Sequence, residues 1–421
     1  MNHLFKDNRF VRFFASRTVA NIADSIYSIV LLYFVQQSTQ SVAFTSFTYA
    51  AVSTASIFSF FVGPLVDRYS PARLASIALF AQAILISIVP FLIRDGMTNL
   101  IIILAIVFIA SCFSMLFYPA NSKMLPQLVR APDLIIRANS MISSSDQIIN
   151  IAGYLAGASL IIAMGMQNTF LLASGMLFLA GVIYIRLSKQ LDTHSTEGTH
   201  SEGSLKLGPY WRELKEGYTF VKRHTFLRIM LPFFALANFS MAFLIITMPS
   251  IAVDYGSPIY YSLLYISYFI GIFVGSFLVN VLKRNGLTIA AAWVATGLAI
   301  FLFSVMPQMW IKLLATLLIG AFTGIINVLQ MSLIQIITPL PLLGRVIAFT
   351  NTLSNAALPL GALIGGALAL RFSLPEVLFF SALTTVLSGL IMFFIKTVRQ
   401  FEIPLEKAGG LEHPHATNEV S

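Results

Sequence analysis

Gly63-Pro64-Leu65-Val66-Asp67-Arg68-Tyr69-Ser70-Pro71-Ala72-Arg73 is a charged, proline-marked segment between two long apolar runs. It reads as a tight loop joining two membrane-crossing helices. The first helix runs out at Asp67. Pro71 suits the first turn of the next, because its ring pre-sets φ and its missing N–H is one that the helix would leave unpaired anyway. Arg68 and Arg73 put positive charge within a few residues of the bilayer, where short basic loops mark the cytoplasmic side.

Outward from that loop the apolar runs continue to both ends of the chain. Of 421 residues, 57% are hydrophobic and 10% charged, and the mean hydropathy is +0.84. A soluble domain carries about a quarter of its residues charged, so the composition excludes one. Runs of about 20 residues, each able to span a hydrocarbon core of about 30 Å as a helix, fall near 13–35, 42–65, 72–93, 98–118, 138–163, 168–187, 227–249, 258–282, 286–306, 310–333, 345–370 and 375–396. The expected fold is an all-α membrane protein with twelve transmembrane helices.

The net charge of +9 does not point to nucleic acid, because of where the bases fall. With the N-terminus in the cytoplasm, 23 of the 26 Lys and Arg lie on the cytoplasmic side and only Arg94, Lys312 and Arg371 outside. The positive-inside rule then sets both termini in the cytoplasm of a multi-pass protein of the cell membrane. The lone Cys112 rules out a disulfide framework. The first apolar run is too long for a signal-peptide core and carries Arg17 and Asp24, so no cleavable leader is expected.

One composition break divides the runs into two sets of six. Residues 188–207 are rich in Ser, Thr, His, Glu and Gly, and read as a flexible tether. A helix over 210–223 follows with Trp211, Leu214, Tyr218 and Val221 on one side, expected to lie along the inner membrane surface. The predicted organisation is a six-helix half over 1–187, a cytoplasmic linker over 188–226, a second six-helix half over 227–400 and a disordered tail over 401–421. A shift of 208 residues superimposes Arg137 on Arg345, Gly153 on Gly361 and Gly157 on Gly365, with several leucines in register. This internal repeat implies that the halves are related by pseudo-symmetry. The glycine pairs, each four residues apart, read as places of close helix packing.

Polar residues inside the runs mark candidate sites, since a polar stripe on a spanning helix must face protein or a water-filled cavity. Arg17, Asn21, Asp24 and Ser28 share one face of the first run. Ser143, Asp146, Gln147 and Asn150 share a face of the fifth; Tyr261, Tyr265 and Tyr268 of the eighth; Thr323, Asn327 and Gln330 of the tenth. Asn351 and Asn355 lie in the eleventh. Tyr265 and Tyr268 lie too deep for an interfacial aromatic belt and are predicted to wall a cavity, whereas Tyr261 fits the belt better. Of 17 acidic residues only Asp24 and Asp146 lie well inside runs. They are the candidates for proton binding, because an ionised carboxylate away from water is costly. All six histidines lie in the tails or the central loop, and there is no phosphate-binding loop. No catalytic residue, metal site or cofactor is therefore expected.

The opening loop resembles the Gly-x-x-x-Asp-Arg-x-x-Arg signature of the major facilitator superfamily, stretched by one residue. With Asn21-Ile22-Ala23-Asp24-Ser25, the segment from Tyr118-Pro119-Ala120 to Asn139, and Leu343-Gly344-Arg345-Val346 followed by Pro359 and Gly361, residues 10–396 are similar to its drug:proton antiporter branch. That branch holds macrolide efflux pumps and the enterobactin exporter. The resemblance implies a secondary active carrier, working as a monomer, whose partners are the lipid bilayer, a small-molecule substrate and protons or another coupling ion. It implies proton-coupled efflux of a small amphiphilic compound by alternating access, with Arg17, Asn21, Ser28, Gln147, Asn150, Tyr265, Tyr268, Asn327, Gln330, Asn351 and Asn355 as cavity or substrate candidates. Gly63, Asp67, Arg68, Arg73 and Arg345 would form a gating loop, with the Asp67 carboxylate capping the helix that starts near Gly344. Arg17 is placed to partner Asp24 in one conformation. Tyr154 follows Gly153 where the branch has proline, so the direction of transport does not follow from that motif. A lysophospholipid or siderophore carrier, or a non-transporting scaffold or scramblase of the same fold, is the alternative.

Overall fold

The computed structural model describes residues 7–55, 57, 69–94, 100–129, 132–192 and 207–401. Among them run fifteen helices: α1 (Asn8–Thr39), α2 (Val42–Ala55), α3 (Pro71–Arg94), α4 (Leu100–Ser114), α5 (Phe117–Leu128), α6 (Pro132–Asp192), α7 (Leu207–Arg223), α8 (Thr225–Asp254), α9 (Pro258–Leu278), α10 (Gly286–Val305), α11 (Met309–Ile337), α12 (Leu340–Asn355), α13 (Ala357–Ala369), α14 (Leu374–Phe394) and α15 (Lys396–Arg399). Ten helical segments are long and apolar enough to cross a membrane. The longest, within α6, is two crossings: Gly165, at φ 80° and ψ 163°, turns the chain back on itself in a conformation that L side chains rarely adopt. The run expected over 42–65 is described in α2 only as far as Ala55. With these two the twelve crossings are accounted for.

The helix ends follow from local chemistry. Asp7 caps α1 by accepting from Arg9 N at 2.8 Å, and Asn285 caps α10 by accepting from Thr288 N at 2.9 Å. At α14, Glu376 reaches back to Ser373 N at 2.7 Å. Pro258 follows the capping Ser257 of α9 in the first-turn position that proline tolerates. The fourth run ends in a turn at Met115 and Leu116. α5 begins at Phe117, so Pro119 falls in a first turn, where it breaks no helical bond.

One end of the bundle carries Arg9, Lys222, Arg223, Lys283, Arg284 and Arg399 and is called the basic face. The other carries the turns at Gln40, Gly165, Gly256 and Met306. The two halves use the same joint internally. A Cβ on Gly153 of α6 would lie 2.5 Å from Ser25 Cβ of α1, and one on Gly361 of α13 would lie 2.9 Å from Ala242 Cβ of α8. In each half the first crossing therefore packs on the fifth through glycine, as the 208-residue repeat implies.

The halves meet toward the end opposite the basic face. Gln36 Nε2 donates to Ser250 Oγ at 3.3 Å between α1 and α8. Ser262 Oγ donates to Tyr154 O at 2.6 Å between α9 and α6. A Cβ on Gly366 of α13 would stand 2.6 Å from Ser46 Cβ of α2. The linker helix α7 has a protein neighbour at the basic face. It lies against α12, where a Cβ on Gly217 would be 2.6 Å from Arg345 O. Val221 is buried among Phe226, Leu227 and Val398 in the second half's core. Of the predicted apolar face, Val221 is buried in this way, whereas Tyr218 stays 46% exposed with its ring against Phe349, and the Trp211 and Leu214 side chains lie outside the described residues.

Candidate functional site

Three polar regions are built around the bundle. The first is the seam between α1 and α6. Arg17 Nη2 donates to Asp146 Oδ2 at 2.7 Å, and Asn21 Nδ2 donates to Asp146 Oδ1 at 2.6 Å. One turn further, Ser25 Oγ donates to Asn150 Oδ1 at 3.2 Å. The Arg17 guanidinium also lies over the Tyr118 ring, 5.4 Å from its centre. In this structure Arg17 pairs with Asp146, and its partnership with Asp24 remains an expectation for one other conformation: the four-three-four spacing gave the face of α1, and the neighbouring helix supplies the partner seen here.

Asp24 lies seven residues, about 10 Å, further along α1 than Arg17. It faces into the first half beside Asn21, Leu79, Gln82, Tyr118 and Leu177. Gln82 Nε2 of α3 donates to its Oδ1 at 3.2 Å. Asp146 therefore has its charge balanced by a guanidinium, whereas Asp24 meets a neutral amide. Ser28 turns its hydroxyl back to Asp24 O at 2.8 Å.

The second region is a cavity of about 460 Å³ whose described lining residues all belong to the second half. The stripe Thr323, Asn327 and Gln330 of α11 faces it, opposite Asn351, Ser354 and Asn355 of α12. Asn238 and Ser240 of α8, Trp293 and Thr296 of α10, Tyr268 of α9 and Thr385 of α14 complete the polar part, with Ile300, Ile319 and Ile334 among the apolar walls. α9 is held close to α11 by glycines on both helices, Gly271 and Gly275 facing Gly320 and Gly324, which brings Tyr268 to the edge of the cavity. Five of the predicted cavity residues, Tyr268, Asn327, Gln330, Asn351 and Asn355, come together here.

The third region is a smaller cavity of about 240 Å³ between the halves. Tyr27, Ser28, Tyr49 and Tyr154 contribute from the first half, and Ile245, Tyr261 and Tyr265 from the second. The Tyr265 ring lies 5.0 Å from that of Tyr154 and 5.2 Å from that of Tyr261. The expected aromatic wall is accordingly split, Tyr265 serving this cavity and Tyr268 the larger one. Tyr261 is 1% exposed and lines the same cavity, so it does not belong to an interfacial belt.

Of the gating residues, Gly63, Asp67 and Arg68 lie outside the described residues, as does the Gln147 side chain. Arg73 stands in the first turn of α3, and Arg345 pairs with Glu216 of α7. Gln82, Asn238, Ser240, Trp293 and Tyr154 are site residues that the sequence did not single out. Gln82 had a signal, being an isolated amide in an apolar run; Trp293 and Ser240 had none.

Two six-helix bundles, joined at one end and enclosing polar cavities, define a membrane carrier. The family model of the Major Facilitator Superfamily matches residues 13–244 and again 230–418, and the chain belongs to that superfamily. It is a multi-pass protein of the cell membrane. It is 24% identical over 325 residues to the uncharacterised MFS-type transporter YvqJ of Bacillus subtilis, covering 76% of each chain. It is 22% identical over 410 residues to macrolide efflux protein A of Streptococcus pyogenes, covering 94% of this chain and 98% of the relative. Among solved structures, the nucleoside transporter NupG matches its fold with a TM-score of 0.71 at 12% identity, covering 92% of this chain and 99% of that one.

Proposed function

We propose that this protein exports a small amphiphilic compound, a drug or secondary metabolite, by proton-coupled alternating access, with its basic face in the cytoplasm. The observation that carries the reading is the 460 Å³ cavity, which mixes carboxamides with aromatic and aliphatic walls. It runs along the part of α11 nearer the basic face, while the halves are joined toward the opposite end. An amphiphile can put its apolar body against Ile300, Ile319 and Ile334 and its polar groups against the amides. The likeness to macrolide efflux protein A over nearly the whole chain supports export. Asp24, a carboxylate facing a neutral donor inside the first half, supports coupling to protons.

The test is uptake into proteoliposomes with an acidic lumen, using a panel of amphiphilic probes that includes a macrolide. Protons leaving through the carrier should drive accumulation above the outside concentration, and nigericin should abolish it. Probe equilibration without accumulation would leave a facilitator with no proton coupling. No carrier-dependent movement of any probe would favour the scaffold reading.

A further inference from the structure

Among the described residues, three buried polar side-chain atoms that lack a hydrogen-bond partner belong to residues lining one cavity: Ser240 Oγ, Trp293 Nε1 and Ser354 Oγ. The residues are 2%, 1% and 6% exposed. A buried donor left unpaired loses about 1–3 kcal/mol, and native structures keep few such groups without a reason. An indole N–H can only donate, so whatever satisfies Trp293 must offer an acceptor. Around these three stand five carboxamides, Asn238, Asn327, Gln330, Asn351 and Asn355, whose side chains make no hydrogen bond within the described structure. Each offers an acceptor oxygen and two donor hydrogens.

The described part of the same wall carries no charge. Among the described residues that line the cavity there is no Lys, Arg, Asp, Glu or His, and the ionisable carboxylates Asp24 and Asp146 belong to the first half. A permanent cation entering this site would give up its hydration without gaining a counter-charge, which is costly. An uncharged solute rich in hydroxyl, ether or carbonyl oxygens would instead exchange water for amides, hydroxyls and an indole already in place. A site built to hydrogen-bond solute oxygens also rejects analogues that lack them, because its own groups are then left unpaired.

Resting on the transport reading above, we infer that the cavity of the second half binds an uncharged, oxygen-rich solute, and that it discriminates against organic cations of similar apolar size. Solute and proton then use different halves of the molecule and do not compete for one carboxylate.

The test is equilibrium binding of two radiolabelled probes to the full chain in lipid nanodiscs. Chloramphenicol is uncharged and carries hydroxyls and an amide; tetraphenylphosphonium is a permanent cation with no hydrogen-bonding group. Saturable binding of chloramphenicol is expected, weakened about tenfold or more by Asn327→Leu with Asn351→Leu, and weakened also by Trp293→Phe, which keeps a ring but removes the donor. The lipid-side change Leu360→Ala should leave it unaltered, and tetraphenylphosphonium should not compete. Absence of chloramphenicol binding, indifference of that binding to all three cavity substitutions, or tighter binding of the cation in the same site overturns the inference. Intact chloramphenicol binding with no pH-driven uptake would overturn the transport reading alone. Proton-driven accumulation of the cation that ignores the cavity substitutions would overturn the inference and leave the transport reading standing.

Discussion

The Arg17 guanidinium donates to the Asp146 carboxylate at 2.7 Å, tying the first crossing of the chain to the fifth inside the first half. The Arg17 side chain is 9% exposed and that of Asp146 27%, so removing either partner strands a charge in poorly solvated surroundings. Asp146→Leu is expected to lower stability by up to about 3 kcal/mol, below the value for a fully dry pair because Asp146 keeps some solvent. The double variant Arg17→Met, Asp146→Leu should recover most of that loss, since neither charge then remains. Thermal unfolding of the four proteins in one detergent gives the cycle. A double variant no more stable than Asp146→Leu would show that the pair is not the reason for the loss.

Glycine at the helix joints separates tight sites from tolerant ones. A Cβ at Gly153 would meet Ser25 Cβ at 2.5 Å, and one at Gly361 would meet both Ala242 Cβ and the backbone of Phe239. At Gly157 the nearest atoms of α1 are 3.5 Å away, an ordinary contact. Gly361→Ala and Gly153→Ala should each cost about 1–3 kcal/mol through forced separation of the helices. Gly157→Ala should be neutral or slightly stabilising, because glycine inside a helix costs about 1 kcal/mol relative to alanine. Melting temperatures of the three variants check the order.

Much of the fold was legible because lipid imposes a harsh rule on sequence: apolar runs of fixed length, with polar residues kept to protein-facing stripes. Thr323, Asn327 and Gln330 could be grouped by helical spacing alone, and they do face one cavity with Asn351 and Asn355. What spacing does not carry is the identity of the facing helix, and nothing in the pattern of α1 points to Asp146 of α6 as the partner that Arg17 has here. Helical spacing also defines a face only coarsely. Tyr265 and Tyr268 are three residues apart, which leaves them about 60° apart around the axis, enough to serve different cavities. The Gly271/Gly275 and Gly320/Gly324 pairs that lock α9 to α11 carry the same four-residue spacing as Gly153/Gly157. Trp293 looks like any apolar residue until the helices are assembled around it.

The docking of α7 on α12 tests whether charge or shape holds the linker helix. Glu216 and Arg345 are 40% and 37% exposed, and ion pairs so open to water contribute between nothing and about 1 kcal/mol. Gly217, by contrast, lets the α7 backbone approach Arg345 O so closely that a Cβ would sit 2.6 Å from it. Gly217→Val is therefore expected to detach α7, raising hydrogen exchange across 215–223 by tenfold or more, while Glu216→Gln changes it less than about fivefold. The reverse ranking would make the ion pair the principal contact.

At the start of α1 the Asp7 carboxylate accepts from Arg9 N at 2.8 Å and from the Arg9 guanidinium at 3.0 Å. The hydrogen bond from the Arg9 side chain holds the Asp7 carboxyl below the usual carboxylate range. A carboxylate whose folded pKa is depressed stabilises the fold above its unfolded pKa of about 3.9 and loses that contribution as pH falls through the lower folded value. Exchange protection of amides 9–11 should therefore be constant from pH 7 to about pH 5 and decline below about pH 4, after correction for intrinsic exchange. Asp7→Ala should lower protection by about 1 kcal/mol at neutral pH and remove the acid-dependent decline.

Asp24 and Asp146 are chemically unequal. Asp146 is balanced by Arg17 and satisfied by Asn21, whereas Asp24 receives its hydrogen bond from the neutral Gln82 amide. The Asp146 carboxylate already has its counter-charge on the neighbouring crossing. A carboxylate that meets neutral groups can take a proton when its surroundings close and release it when water returns. Asp24→Asn is nearly isosteric and keeps a group for Gln82 to bond, so it should insert, fold and bind solute normally. A proton gradient of one pH unit supplies about 1.4 kcal/mol, or a tenfold solute gradient for each proton exchanged. The parent protein in proteoliposomes should approach such an accumulation, while Asp24→Asn should equilibrate solute to a ratio of about 1 and become insensitive to nigericin. Accumulation by Asp24→Asn at the parent level would move the coupling role away from this residue, and loss of solute binding in that variant would make Asp24 part of the binding site.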